Sequence, residues 1–240
     1  MIVLPTEKIP AKLSEPKVLL LYGAPKVGKT TVLADLPDCL TIDTEDGSDY
    51  VPMLKVKAKN RHELGEIAQA LRKEPAKYKF LAFDTLTRIE DWAEELGTAN
   101  YKLSGTGKNF TGQSVLTLPN GAGYLWLRLA FQELLGQFSG TVARMIFIGH
   151  LRDKFLQKEG KEVTAKDLDL TGKVKAIMCS QADTVGYMYR DSTGLRVSFR
   201  TFEDVLCGTR SQYLKGADIL FDWKKIYPET LAQPKLEVVA

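Results

Sequence analysis

The chain has 240 residues and 33 Lys and Arg against 30 Asp and Glu, a formal net charge of +3. That balance excludes a histone-like polycation and an acidic disordered tail as the whole molecule, and 44% hydrophobic residues suffice for one large domain or two small ones. Cys39, Cys179 and Cys207 lack paired metal-ligand spacing, so neither a disulfide framework nor a zinc ribbon is indicated, and a reducing, cytoplasmic location is expected. The apolar start Met1-Ile-Val-Leu4 is broken by Pro5, Glu7, Lys8 and Pro10, too early for a signal peptide. No apolar run approaches the roughly 20 residues of a membrane span.

The pattern predicts an N-terminal arm over 1–16, one α/β domain over 17–225 and a tail over 226–240. Residues 17–22 are a continuous apolar run closed by Gly23, as for a strand buried on both faces. A helix follows from Lys29. Cys39–Asp43 reads as a second strand and Met53–Lys59 as a third. Arg61–Lys73 is an amphipathic helix with Leu64, Ile67, Ala68 and Leu71 on one stripe. Lys79–Phe83 is another buried strand, ending at Asp84, and Leu86–Leu103 is helical.

Residues 104–123, with five glycines, predict a long loop. A helix over Tyr124–Phe138 leads to a strand over Ala143–Ile148. Residues 151–175 carry seven basic and five acidic side chains and read as a second long loop with little fixed structure. Thr184–Arg190 and Leu195–Phe199, joined at Asp191–Gly194, give a hairpin signal. Strands alternating with helices imply an α/β fold with a mainly parallel central sheet flanked by helices, here with an antiparallel C-terminal edge hairpin.

Gly23, Ala24, Pro25, Lys26, Val27, Gly28, Lys29 and Thr30 fit the phosphate-loop pattern G-x-x-x-x-G-K-[ST], between a strand and a helix, with Thr31 following. Glycines let the backbone turn so that N–H groups face phosphate oxygens. Lys29 reaches the β and γ phosphates of ATP, the Thr30 hydroxyl ligates Mg2+, and a helix N-terminus adds a favourable dipole. Asp84, at the end of Phe80-Leu-Ala-Phe, is the acid expected to hold Mg2+ from a neighbouring strand.

Two further strand ends carry chemistry: Ile42-Asp-Thr-Glu45 and Arg144-Met-Ile-Phe-Ile-Gly-His150-Leu-Arg152. With these, the sequence resembles the RecA-like P-loop ATPase core, closest to the small bacteriophage RecA-like ATPases that include the Sak-type single-strand annealing proteins. The resemblance covers residues 17 to about 215. It implies that Glu45 is the general base that polarises the attacking water and that His150 senses the γ phosphate and relays its presence to the following loop. Arg210, with Arg200 as second choice, would face the next subunit's phosphate in a ring or filament.

In that family two mobile loops hold single-stranded DNA. Here Lys108 and Phe110 in the first loop, and Arg152, Lys154 and Lys158 in the second, supply cations for phosphates and an aromatic for stacking. The implied activity is ATP hydrolysis stimulated by single-stranded DNA during annealing or recombination, with a homo-oligomer and a single-strand-binding protein as partners. The long N-terminal polymerisation helix and the C-terminal domain of cellular recombinases are expected to be absent, and His150 replaces the usual amide. A nucleoside or polynucleotide kinase, a non-hydrolysing assembly protein and a replicative helicase motor are the rivals that share the phosphate loop.

Overall fold

In a computed structural model, described for residues 4, 6–8, 14–74, 77–158, 161–202 and 204–232, the elements follow in chain order. They are β1 (Val18–Gly23), α1 (Lys29–Ala34), β2 (Cys39–Asp43), β3 (Lys55–Lys57), α2 (Arg61–Lys73), β4 (Phe80–Asp84), α3 (Leu86–Leu103) and α4 (Gly123–Gly136). Then come β5 (Arg144–Lys158), β6 (Lys161–Leu168), α5 (Gly172–Gln181), β7 (Thr184–Asp191), β8 (Gly194–Ser198), β9 (Gly208–Thr209), β10 (Asp218–Leu220), α6 (Trp223–Ile226) and α7 (Pro228–Ala232). Among the described residues, no helix is long and apolar enough to cross a membrane.

The sheet runs β10-β8-β7-β1-β5-β4-β2-β3, with β6 on β5 and β9 on β7. Strands β7, β1, β5, β4, β2 and β3 are parallel, and β8, β10, β6 and β9 pair antiparallel. The α/β class with a parallel centre and an antiparallel edge is therefore the observed one. Continuous apolar runs on the central strands follow from cover on both faces. Leu20, Tyr22, Phe83 and Phe147 pack under α2, α3, α4 and α5, while Leu19, Leu21, Phe80 and Ile146 pack under α1, Trp223 and Tyr227.

Residues 226–232 stay in that second layer, with Ile226 and Tyr227 fully buried. The buried Glu15 carboxylate ties them down, accepting from Glu229 N at 2.6 Å and Thr230 N at 3.0 Å while pairing with Arg144 at 2.9 Å.

The expected second loop is instead an antiparallel hairpin. The backbone of β5 continues past Ile148 to Lys158 and returns as β6, and α5 follows. The alternation signal fails because the hairpin leaves the core beyond its base, where Leu151, Ala165 and Leu168 stay packed. Charged side chains serve its pairing, with Asp153 opposite Lys166 in register and bonded to it at 2.7 Å. Of the expected loop over 104–123, residues 104–122 are irregular apart from short 3-10 turns at Val115–Thr117 and Pro119–Gly121, and Gly123 opens α4.

Candidate nucleotide site

Parallel pairing brings the C-terminal ends of the central strands to one edge. Gly23 lies beside His150, Ile148 beside Asp84, and Asp84 beside Asp43. Strand β5 thus carries His150 between the phosphate loop and the acid strand. These ends and the loop line a cleft of about 440 Å³ that includes Lys26, Lys29, Thr30, Glu45, Asp84 and His150. That volume lies within the range of small-molecule sites, at the strand ends where ligands of open α/β sheets gather.

Two glycines shape the loop. A β-carbon at Gly23 would meet Met188 O at 2.5 Å, and Gly28 has φ +117°, a conformation that L side chains rarely adopt. Lys29 folds back and donates from Nζ to Gly23 O and Ala24 O, both at 2.9 Å. Burial pushes its pKa down, resisted by the carboxylates of Asp84 and Glu45. Helix α1 has six residues and no side-chain cap, which leaves its first N–H groups free to face an anion. Capacity for an anion rests on the loop N–H groups and on Lys29.

Thr30 Oγ1 donates to Asp84 Oδ2 at 2.6 Å, joining the two groups expected at Mg2+. Burial raises the Asp84 pKa, against the Thr30 hydrogen bond, and the neighbouring Glu45 and Asp43 raise it further. A buried acid of this kind gains from a dication. Thr30 and Asp84 offer one hydroxyl and one acid, an oxygen donor set that fits a hard dication completed by phosphate oxygens.

Glu45 is held from two sides. His150 Nε2 lies 3.1 Å from Oε1 and 3.3 Å from Oε2, and Thr85 Oγ1 donates to Oε1 at 2.6 Å. The His150 hydrogen bond lowers the Glu45 pKa, burial works against it, and Thr85 and the Lys29 charge assist. The buried Asp43 shapes the loop that presents Glu45. It accepts from Glu45 N at 3.0 Å, from Ser48 N at 3.1 Å and from the Ser48 hydroxyl.

The other expected residues lie elsewhere. Arg210 donates to Asp183 Oδ1 at 3.2 Å and Ser180 O at 2.6 Å. Asp183 in turn accepts from Lys17 N and Val18 N, at the start of β1, so Arg210 sits at the sheet edge opposite Gly23 and its own cleft. The Arg200 guanidinium stacks 4.9 Å over Phe202. Phe110 packs edge-on to Tyr101, with ring centroids 5.2 Å apart, and Lys108 is exposed. On the hairpin Arg152 pairs with Asp169 at 3.4 Å and Lys154 is exposed, whereas the side chain of Lys158 falls outside what is described.

Sequence reasoning missed Asp43, Thr85 and Arg190. Asp43 and Thr85 flank the singled-out Glu45 and Asp84 in the chain, which is the signal that could have found them. Arg190 Nε donates to Val27 O at 3.0 Å from 163 positions away, a contact only strand order creates.

The family model of the AAA domain matches residues 15–211. The chain belongs to the AAA domain family. The AAA domain chain is thus a nucleotide-binding P-loop protein of the ATPase type. No curated protein matches it. Among solved structures it is similar to one described as the RadB recombinase, at 12% identity and a TM-score of 0.44 over 88% of this chain and 90% of that one.

Proposed function

We propose that this AAA domain chain hydrolyses Mg·ATP in the cleft and uses the cycle to change its grip on single-stranded DNA during annealing or recombination. The observation that carries the reading is the contact of Glu45 with His150, 3.1 Å apart, because His150 opens the part of β5 that leaves the sheet. In the proposed reaction Lys29 exchanges the carbonyls of Gly23 and Ala24 for phosphate oxygens. Glu45 orients a water, whose oxygen attacks the γ phosphorus as Glu45 accepts its proton and ADP departs. Mg2+, held by Thr30 and Asp84, would neutralise charge on the phosphates.

His150 contacts the same carboxylate, so a γ phosphate that draws on either residue bears on the hairpin. Arg152 and Lys154 on the hairpin would meet DNA phosphates, as Lys108 and Phe110 would after α3. Arg210 reaches no phosphate of its own chain. A role in catalysis for it requires a second copy, in a ring or filament.

Phosphate release measured with and without single-stranded DNA, for the wild type and Lys29→Ala, tests the reading. Turnover raised severalfold by DNA and lost in Lys29→Ala is expected. DNA-independent turnover would refute the coupling, and phosphate transfer to a nucleoside instead of water would identify a kinase.

A further inference from the structure

Arg190 stands two residues past the point where Met188 of β7 lies beside Gly23 of β1, and this placement sets it against the phosphate loop. Its Nε donates to Val27 O at 3.0 Å. A β-carbon added at Gly28 would come within 3.3 Å of Arg190 Nη2 and 3.5 Å of Leu195 Cδ2, so the end of the β7–β8 hairpin closes on this side of the loop.

The neighbouring Arg196 is different, because its Nε is held by Asp218 at 2.8 Å and Asp191 at 3.5 Å. Arg190 has no carboxylate partner among the described residues, and only its Nε is committed. A guanidinium carries five N–H donors in a rigid fork. Four remain beside a loop built for an anion.

Charge makes the placement consequential. The cleft brings Asp43, Glu45 and Asp84 together with Lys26 and Lys29, three acids against two cations, while its proposed ligand is a polyanion. Arg190 stands outside that lining and sets a third cation against the loop itself, at Val27 O and beside Gly28.

We infer that Arg190 is a positioning residue, acting in cis, for the diphosphate portion of the bound nucleotide. Through Val27 O it fixes the curvature of the loop, and its charge reinforces the backbone N–H groups that cradle the α and β phosphates. This rests on the proposed nucleotide site and adds to it a cation that the phosphate-loop motif does not contain. Because the α and β phosphates are common to ATP and ADP, Arg190 contributes equally to both nucleotides.

The test is calorimetric binding of Mg·ADP and of a Mg·ATP analogue that is not hydrolysed, to the full chain and its Arg190→Gln and Arg190→Lys variants, with steady-state kinetics on ATP. For Arg190→Gln both Kd values rise about tenfold, the size of one charge-assisted hydrogen bond. The two rises agree within about twofold. KM follows them, and kcat at saturation stays within about threefold. Arg190→Lys keeps the charge without the fork and recovers part of the loss for both nucleotides.

Thermal unfolding shows whether each variant is folded. Should Arg190→Gln not fold, Arg190→Lys decides, and wild-type affinity in it overturns the inference. Unchanged Kd values, a loss confined to the triphosphate, or a fall in kcat at constant Kd also overturn it. A wild-type chain that binds neither nucleotide refutes the nucleotide site, and the inference with it. Wild-type binding with equal binding by the Arg190 variants refutes the inference alone.

Discussion

His150 Nε2 lies 3.1 Å from Glu45 Oε1, so the proposed general base is held by the side chain at the end of the adjoining part of β5. That contact separates two effects that mutation can resolve, the chemistry at the carboxylate and the state of ionisation that allows it.

Glu45→Gln keeps the size of the side chain and removes the proton acceptor. The expected result is a fall in kcat of about 100-fold or more, with ATP affinity within about threefold of wild type. Single-turnover phosphate release and equilibrium binding on the same preparation check both halves. An unchanged turnover would show that Glu45 is not the base, and a wild type that binds ATP without turnover would favour the reading in which ATP only holds subunits together.

His150→Ala removes the main cause of the lowered Glu45 pKa. The Glu45 carboxyl then rises toward its ordinary value, and a base that must be ionised loses function at a higher pH. The acid limb of the kcat profile should therefore move upward in pH. Stability moves in the same sense. A folded pKa below the unfolded one contributes stability above the unfolded pKa that is lost as pH falls through the folded pKa. In His150→Ala that contribution shrinks, and acid titration followed by circular dichroism should show an earlier loss of structure.

Asp84→Asn sets function against stability. Burial raises the Asp84 pKa, which means the folded state disfavours the carboxylate at neutral pH. The amide should leave the nucleotide-free chain as stable or more stable, raising Tm by about 2–4 °C if about 1 kcal/mol is recovered. Mg-dependent ATP binding should fall at the same time. Calorimetric melting and a Mg2+ titration of binding would show the opposed signs.

Asp43→Ala removes the acceptor for three donors from Glu45 and Ser48. Leaving buried donors unmatched should cost about 2 kcal/mol in urea unfolding. Because the Glu45 backbone loses its anchor, kcat should fall while Mg·ADP affinity changes little.

Replacing both Arg152 and Lys154 with Glu should weaken single-stranded DNA binding. If those cations meet phosphates, the salt dependence should flatten by roughly 0.7 in the log–log slope per lost contact. Fluorescence anisotropy over a salt series reads this directly, and a parallel shift with no change of slope would place the DNA elsewhere.

The phosphate loop was legible because its pattern follows the buried run Leu19–Tyr22 and precedes Lys29–Ala34. Asp84 was legible for the same reason, at the end of a strand buried throughout. What brings Glu45, Asp84 and His150 together is the insertion of β5 between β1 and β4, and strand order is not written in spacing along the chain. The same holds for Arg190, whose partner Val27 is reached only because β7 lies beside β1. The β5–β6 hairpin escaped notice because, outside the core, its residues obey no alternation of apolar and polar. Arg210 shows the converse, a suggestive place in the sequence that folds to the far edge of the sheet.

Strand β5 is fifteen residues long, with its first half inside the sheet and the rest projecting from it. The eight residues from Leu151 to Lys158 set the end of the projection roughly 26 Å from His150. Its base is clamped, because the Lys166 backbone opposite Asp153 donates to Asp204 O at 2.6 Å and accepts from Leu206 N at 3.1 Å and from the Tyr22 hydroxyl at 3.2 Å. The hairpin is thus a braced strut that joins the strand end at His150 to the segment at 204–206, rather than a free arm.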